Sequence, residues 1–277
     1  MKHIHIIAFY SFLIVGAVLS GQVLGDAPNE ADKFYIESEG LPRAMISGEG
    51  HRADAKPRGT LFMCHGFLCN REMCRDYMWI HDRLNWNVVL FDFRNFGPSS
   101  STLPLYPPSL GYYEIWDVKA VVNWAEQHGY ERPYAVMGFS MGAAIGLRWA
   151  GQDERIAGVW AESPFRTAWE ALTQAPNYMI GTETLVWQKM VSGAERMLRE
   201  VDSIEAVSHR RDLRVWVVAG ENDMFPIAQQ REIVDASPSP KSMKRFWVVP
   251  GRGHAPFWDW KPDHDKHIEE FLAQCRD

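Results

Sequence analysis

The stretch Tyr134-Ala135-Val136-Met137-Gly138-Phe139-Ser140-Met141-Gly142-Ala143-Ala144-Ile145-Gly146-Leu147 decides the architecture. An apolar run of strand type drives into a Gly-x-Ser-x-Gly pentapeptide, and a small-residue segment of helical pattern, residues 143–150, follows at once. A strand that turns straight into a helix must bend sharply. Glycines two residues either side of Ser140 let the backbone cross itself without a Cβ clash and leave the serine on the apex. The N–H of Met141 then lies at a helix N-terminus, where it can face a developing negative charge. The plainer reading is a glycine-rich turn whose serine caps a helix. The rest of the chain decides between the two.

Upstream, residues 34–47 read as a strand pair interrupted by Gly40-Leu41-Pro42, and residues 59–64 as a short apolar strand ending in His65-Gly66-Phe67. A helix is predicted over about 72–84, then a strand over 87–92. That strand is too uniformly apolar to have a wet face, which suits a parallel sheet covered on both sides. A proline-rich loop through Pro104, Pro107 and Pro108 leads to a crossover helix over 113–128, whose Glu114 and Asp117 favour the helix dipole. Downstream, strands are expected over 156–161, 213–219 and 245–249, with helices over 227–236 and about 264–274. Strand and helix alternate throughout, so the class is α/β with a mostly parallel central sheet flanked by helices. Residues of about 166–209 break the alternation. They carry Trp169, Leu172, Tyr178, Met179, Ile180, Trp187 and Met190 in a helical pattern and read as a small helical cap insertion, too short to bury a core of its own.

In open parallel sheets ligands bind beyond the carboxyl ends of the strands, so the residues just after each apolar run carry the information. Here they are His65-Gly66-Phe67, Asp92 with Arg94, Ser140, Gly220-Glu221-Asn222-Asp223 and Gly251-Arg252-Gly253-His254. A serine hydroxyl needs a base to remove its proton, and the base, a histidine, needs a carboxylate to hold its tautomer. Ser140, Asp223 and His254 supply these roles in the chain order Ser, Asp, His. Glu221 is the competing carboxylate. His65 reads as a structural histidine beneath the loop it opens, and His51, His81, His128 and His209 as surface residues. His264, Asp265 and His267 are expected to be solvated residues opening the last helix rather than a metal site, because the ligand set is incomplete.

From about residue 34 to the C-terminus the chain closely resembles the α/β-hydrolase superfamily, on His65-Gly66-Phe67, Gly138-Phe139-Ser140-Met141-Gly142, Gly220-Glu221-Asn222-Asp223 with Pro226 behind it, and Gly253-His254. The resemblance implies an α/β-hydrolase fold, an oxyanion hole formed by the N–H groups of Met141 and Phe67, and acyl transfer to water through an acyl-serine, with no metal or organic cofactor. The turn at Asp92, Arg94 and Gly97 also looks like the family's Asp-x-Arg-Gly-x-Gly, but Asn95 replaces the first glycine, so the turn receives no catalytic duty.

The expected activity is therefore cleavage of carboxylic esters or thioesters of small molecules, with the aromatic insertion around Trp169, Tyr178 and Trp187 covering the Ser140 mouth and favouring an acyl or aromatic group. Core packing of cap helices explains the same aromatic residues equally well. A peptidase or amidase and an acyltransferase use the same triad, and a silent binding protein on a hydrolase scaffold is the reading from another class. With 46% hydrophobic residues, 29 basic to 35 acidic side chains and a net charge of -6, the 277-residue chain is globular and offers no nucleic-acid surface.

Two features bear on location. Lys2, the apolar run 6–20 and Val23-Leu24-Gly25 read as a secretory signal peptide over 1–25, while an uncleaved N-terminal membrane anchor is the alternative; both put the rest of the chain outside the cytoplasm, secreted or periplasmic. Cys69 and Cys74 are spaced to close a short disulfide loop there, and Cys64 reads as a buried free thiol. Nothing in the residues specifies an oligomeric state.

Overall fold

The computed structural model describes residues 31–54, 56–102, 109–174, 195–257 and 263–275. The N-terminal segment read as signal peptide or anchor, the proline loop, and Tyr178, Trp187 and Met190 of the insertion lie outside the described residues.

The strands are β1 (Asp32–Ser38), β2 (Ala44–His51), β3 (Thr60–Cys64), β4 (Asn87–Phe91), β5 (Ser100–Ser101), β6 (Tyr134–Phe139), β7 (Ile156–Glu162), β8 (Arg214–Gly220) and β9 (Lys244–Val249). They form one sheet in the order β1-β2-β4-β3-β6-β7-β8-β9, with β5 beside β2. β1 and β2 pair antiparallel, and β2 pairs antiparallel with β4. From β4 to β9 every pairing is parallel. All the parallel carboxyl ends therefore open on one edge.

The uniform burial of β3, β4, β6 and β8 has a simple cause. Successive side chains point to opposite faces, and both faces are covered. Phe62, Cys64, Val89, Phe91, Tyr134 and Val136 enter one core, with α2 (Ile115–Gln127), α3 (Met141–Gln152) and α7 (Ile227–Ala236). Leu61, Met63, Val88, Leu90, Ala135 and Met137 enter the other, with α1 (Trp79–Leu84) and α8 (Asp263–Gln274). Phe62 meets Tyr134 and Trp149 edge-on at 5.3 and 5.2 Å, so β3, β6 and α3 interlock at the centre of the first core.

The predicted helix over 72–84 is a 3-10 segment, Arg71–Tyr77, continued by α1. Of the insertion, α4 (Ala168–Gln174), α5 (Glu195–Arg199) and α6 (Ser203–Val207) are described. Trp169 on α4 is half-buried against the first core, with the Arg199 guanidinium 5.2 Å from its ring centre.

At the sheet's other flank, Arg94 binds Asp117 of α2 through Nη2 at 2.7 Å and also reaches Ser38 and the Pro42 carbonyl. Asp92 accepts from the Arg71 backbone N–H at 2.7 Å and its guanidinium at 2.8 Å. Asn95 stands at φ 64°, a left-handed conformation that asparagine tolerates better than most residues. This turn is a packing device. Cys64, Cys69 and Cys74 are free thiols, so the short disulfide loop is absent, and burial raises all three above the ordinary thiol range.

Candidate active site

Ser140 stands between β6 and α3 at φ 52°, ψ -111°. A non-glycine residue held there is strained by about 1–3 kcal/mol, so the surroundings must enforce it. The two glycines show how. A Cβ on Gly138 would overlap the backbone of Gly142 and Ala143, and one on Gly142 would overlap the carbonyls of Cys64 and His65. The elbow is thus pressed against the end of β3, with the Ser140 N–H bound to the Glu162 carbonyl at 2.8 Å.

Beyond β3, Gly66 lies against the serine: a Cβ there would sit 3.8 Å from Ser140 Cβ. The Phe67 backbone is thereby brought beside the elbow, and the Met141 N–H heads α3. The Gly66 carbonyl accepts from the Cys69 N–H at 3.3 Å, closing a turn with Leu68 at φ 59°. His65 holds the loop from below. Its Nε2 accepts from the Phe93 N–H at 3.0 Å, which leaves Nδ1 to donate to the Gly66 carbonyl at 2.8 Å. Desolvation of this fully buried ring lowers its pKa to about 4, so it stays neutral.

His254 and Asp223 arrive from the ends of β9 and β8. His254 Nε2 is 2.8 Å from Ser140 Oγ, and its Nδ1 is 2.8 Å from Asp223 Oδ1. The Asp223 side chain is fully buried, that of His254 17% exposed, so the carboxylate is dry while the imidazole edge remains reachable. Burial works against the Asp223 charge, but the His254 ring, the Ser163 hydroxyl and the Phe225 N–H outweigh it and hold the carboxyl below the usual range. Phe225, itself packed edge-on against Phe165, closes one side of the imidazole at 5.1 Å between ring centres.

Gly220 lets the two loops meet, since a Cβ there would overlap the carbonyls of Arg252 and Gly253. Glu221 has other work: its carboxylate accepts from the Gly251 N–H at 2.7 Å on the exposed side of the same turn. Of the two carboxylates left open by the sequence, Asp223 is the one on the imidazole.

The expectation for His264 is overturned as well. His264 is not solvated but fully buried, its Nε2 2.7 Å from Glu162 Oε1 and its ring flanked by Tyr77 and Trp160. A buried carboxylate partner 102 residues away leaves no local signature. Glu162 and Ser163, just past the strand expected over 156–161, were missed for the same reason.

A family model described as the alpha/beta hydrolase fold matches residues 59–201. The uncharacterized protein YqkD of Bacillus subtilis (strain 168) is 23% identical over 238 residues, covering 82% of this chain and 75% of the relative. Among solved structures, the Pyrococcus furiosus esterase Pf2001 is similar with a TM-score of 0.69 at 19% identity, over 92% of this chain and 98% of that one. Acetyl xylan esterase 1 from Thermoanaerobacterium sp. JW/SL YS485 is similar with a TM-score of 0.68 at 16% identity, over 88% and 83%. At such identities these structures speak for the fold alone, and the parallel sheet, the elbow and the family match agree on it. The chain belongs to the alpha/beta hydrolase family.

Proposed function

We propose that the protein is a serine hydrolase that cleaves carboxylic esters or thioesters of small molecules through an acyl-serine intermediate. The observation that carries this reading is the continuous relay from Ser140 Oγ to His254 Nε2 and from His254 Nδ1 to Asp223 Oδ1, each step 2.8 Å. Ser140 Oγ attacks the acyl carbonyl as its proton passes to His254 Nε2. Asp223 holds the other ring nitrogen and offsets the transient imidazolium charge. The oxyanion rests on the N–H groups of Met141 and Phe67, each such donor being worth about 3 kcal/mol in the transition state. His254 then returns the proton to the leaving oxygen or sulfur, and water repeats the cycle on the acyl-enzyme.

Two of the proteins that share the fold are esterases, which makes esters the first substrates to test. The Phe225 ring, its centre 5.1 Å from that of the His254 ring, puts an apolar side chain beside the proposed base and supports an apolar acyl or aromatic group.

A fluorophosphonate probe tests the proposal. Wild-type protein is expected to label at Ser140 and Ser140→Ala not at all, with nitrophenyl-ester turnover falling on the order of a millionfold in the variant. A wild type left unlabelled where a control esterase labels would end this reading.

A further inference from the structure

Glu162, the last residue of β7, and Ser163 just after it carry a concentration of costs that packing alone does not repay. The Glu162 side chain is fully buried, and removing a carboxylate from water costs several kcal/mol unless its oxygens are satisfied. Here they are. Oε1 accepts from Trp160 Nε1 at 2.9 Å and faces His264 Nε2 at 2.7 Å, and Oε2 accepts from the Phe257 N–H at 3.0 Å. The Tyr77 hydroxyl approaches both oxygens at 3.4–3.5 Å. Ser163 is buried too and stands at φ 52°, a second strained serine in the same strand layer as Ser140. Its N–H is tied to the Val218 carbonyl at 2.8 Å, and its Oγ accepts from the Ala255 N–H at 3.1 Å.

The targets of these bonds are informative. Ala255 is the residue after the base, and Phe257 the third after it. These two anchors of the His254 loop thus come from consecutive residues, Glu162 at the end of β7 and Ser163 just after it. The same residues reach the nucleophile and the acid. The Glu162 carbonyl holds the Ser140 N–H, while the Ser163 hydroxyl acts on Asp223, whose Oδ2 is buried without a partner at bonding geometry among the described residues. Strain and buried charge gathered beside a reactive constellation point to function, because both persist only where the surrounding structure repays them.

We propose that Glu162 and Ser163 are positioning residues for the base. Glu162 clamps the loop at Phe257 and braces it against α8 through His264, Ser163 clamps it at Ala255, and together they keep both ring nitrogens of His254 in reach of Ser140 and Asp223 at once. The inference rests on the serine-hydrolase reading above. The reaction asks the imidazole to take a proton from Ser140 and hand it to the leaving group without losing Asp223, so a loop free to shift by an ångström would lose on the order of a hundredfold in rate.

The decisive variant is Ser163→Gly. It removes the hydroxyl but also relieves the left-handed strain, so a purely structural role and a positioning role diverge. In the full-length protein, positioning predicts an unchanged or raised Tm, an unchanged KM for a nitrophenyl ester, and kcat lowered on the order of 10- to 100-fold. Glu162→Gln keeps the volume but turns an NH2 toward one of the donors now facing an oxygen, and the same fall in kcat is expected. A double-mutant cycle with Asp223→Asn adds a readout that packing would not move: a residue acting through the base loses most of its effect once Asp223 no longer holds that base. The proposal is overturned if Ser163→Gly turns over within twofold of wild type, if its loss only tracks a fall in Tm, or if its effect multiplies fully with that of Asp223→Asn. Labelling separates the two proposals. Failure of wild type to label at Ser140 removes the hydrolase reading as well, whereas normal labelling with an unimpaired Ser163→Gly removes only this one.

Discussion

Around Ser140 the geometry is enforced by backbone against backbone, whereas around His254 it is enforced by buried side chains gathered from distant elements. Gly138 and Gly142 admit no Cβ because carbonyls of their own turn and of β3 already occupy the space. The base loop has one such approach, at Gly220, and is further held by hydrogen bonds, among them those to Glu162 and Ser163. The first kind of restraint is all-or-none, since a methyl group either fits or displaces a strand. The second is graded, since a side chain can be trimmed and the loop still close. Damage at the elbow should therefore appear as lost fold, and damage at the base as lost rate in a folded protein.

The sharpest division is expected at Asp223. Asp223→Asn leaves the shape intact but offers the imidazole an amide, and kcat should fall about 10⁴-fold with near-normal unfolding. Glu221→Gln, two residues earlier, should stay within a few-fold because that carboxylate serves an exposed turn. Steady-state kinetics on both variants would invert the assignment if the ranking were reversed.

Next in size, Gly142→Ala should destabilise the protein by more than about 3 kcal/mol, read as a large drop in the denaturation midpoint, because the obstructing atoms are backbone. A Gly142→Ala protein as stable as wild type but slow would erase the contrast between the two sides.

A smaller effect is expected from His65 beneath the Gly66-Phe67 loop. Its pKa is about 4 when folded against 6.5 for the free side chain, so between those values the unfolded chain binds a proton that the folded chain does not. Its contribution is present above about pH 6.5 and is lost as pH falls toward 4, on the order of 3 kcal/mol at most. Burial raises the Asp117 carboxyl more than Arg94 offsets, and that acts with the opposite sign over part of the range, so the total slope is not diagnostic. The difference in unfolding free energy between wild type and His65→Gln, followed by denaturant titration from pH 7 to pH 4.5, isolates the histidine and should shrink as pH falls. A constant difference would remove the buried-neutral assignment.

The same contrast accounts for what could be read from the residues beforehand. Backbone restraints need particular residue types at short, fixed spacing, which is why the elbow, the strand alternation, His65-Gly66-Phe67 and the three residues of the relay stand out in the chain. Uniformly apolar runs announced a sheet covered on both faces, and the alternate residues of β3, β4 and β6 do divide between two cores. Side-chain restraints need only that partners meet in space. Glu162 and His264 are 102 residues apart, Ser163 and Ala255 92 apart, and neither pair carries a pattern at its own position. His264 looked like a solvated residue at a helix start because its local neighbours Asp263 and Asp265 are acidic and polar. Its burial was decided by β7.

The relay between Ser140 and His254 spans 114 residues of chain, and Asp223 lies between them. A chain made from its N-terminus completes β6 and α3 well before it has synthesised either partner. A nascent or prematurely terminated product can therefore present a formed elbow whose serine has no base to deprotonate it. On the serine-hydrolase reading, the incomplete molecule is chemically silent, and competence waits for the loop that follows β9 and carries His254.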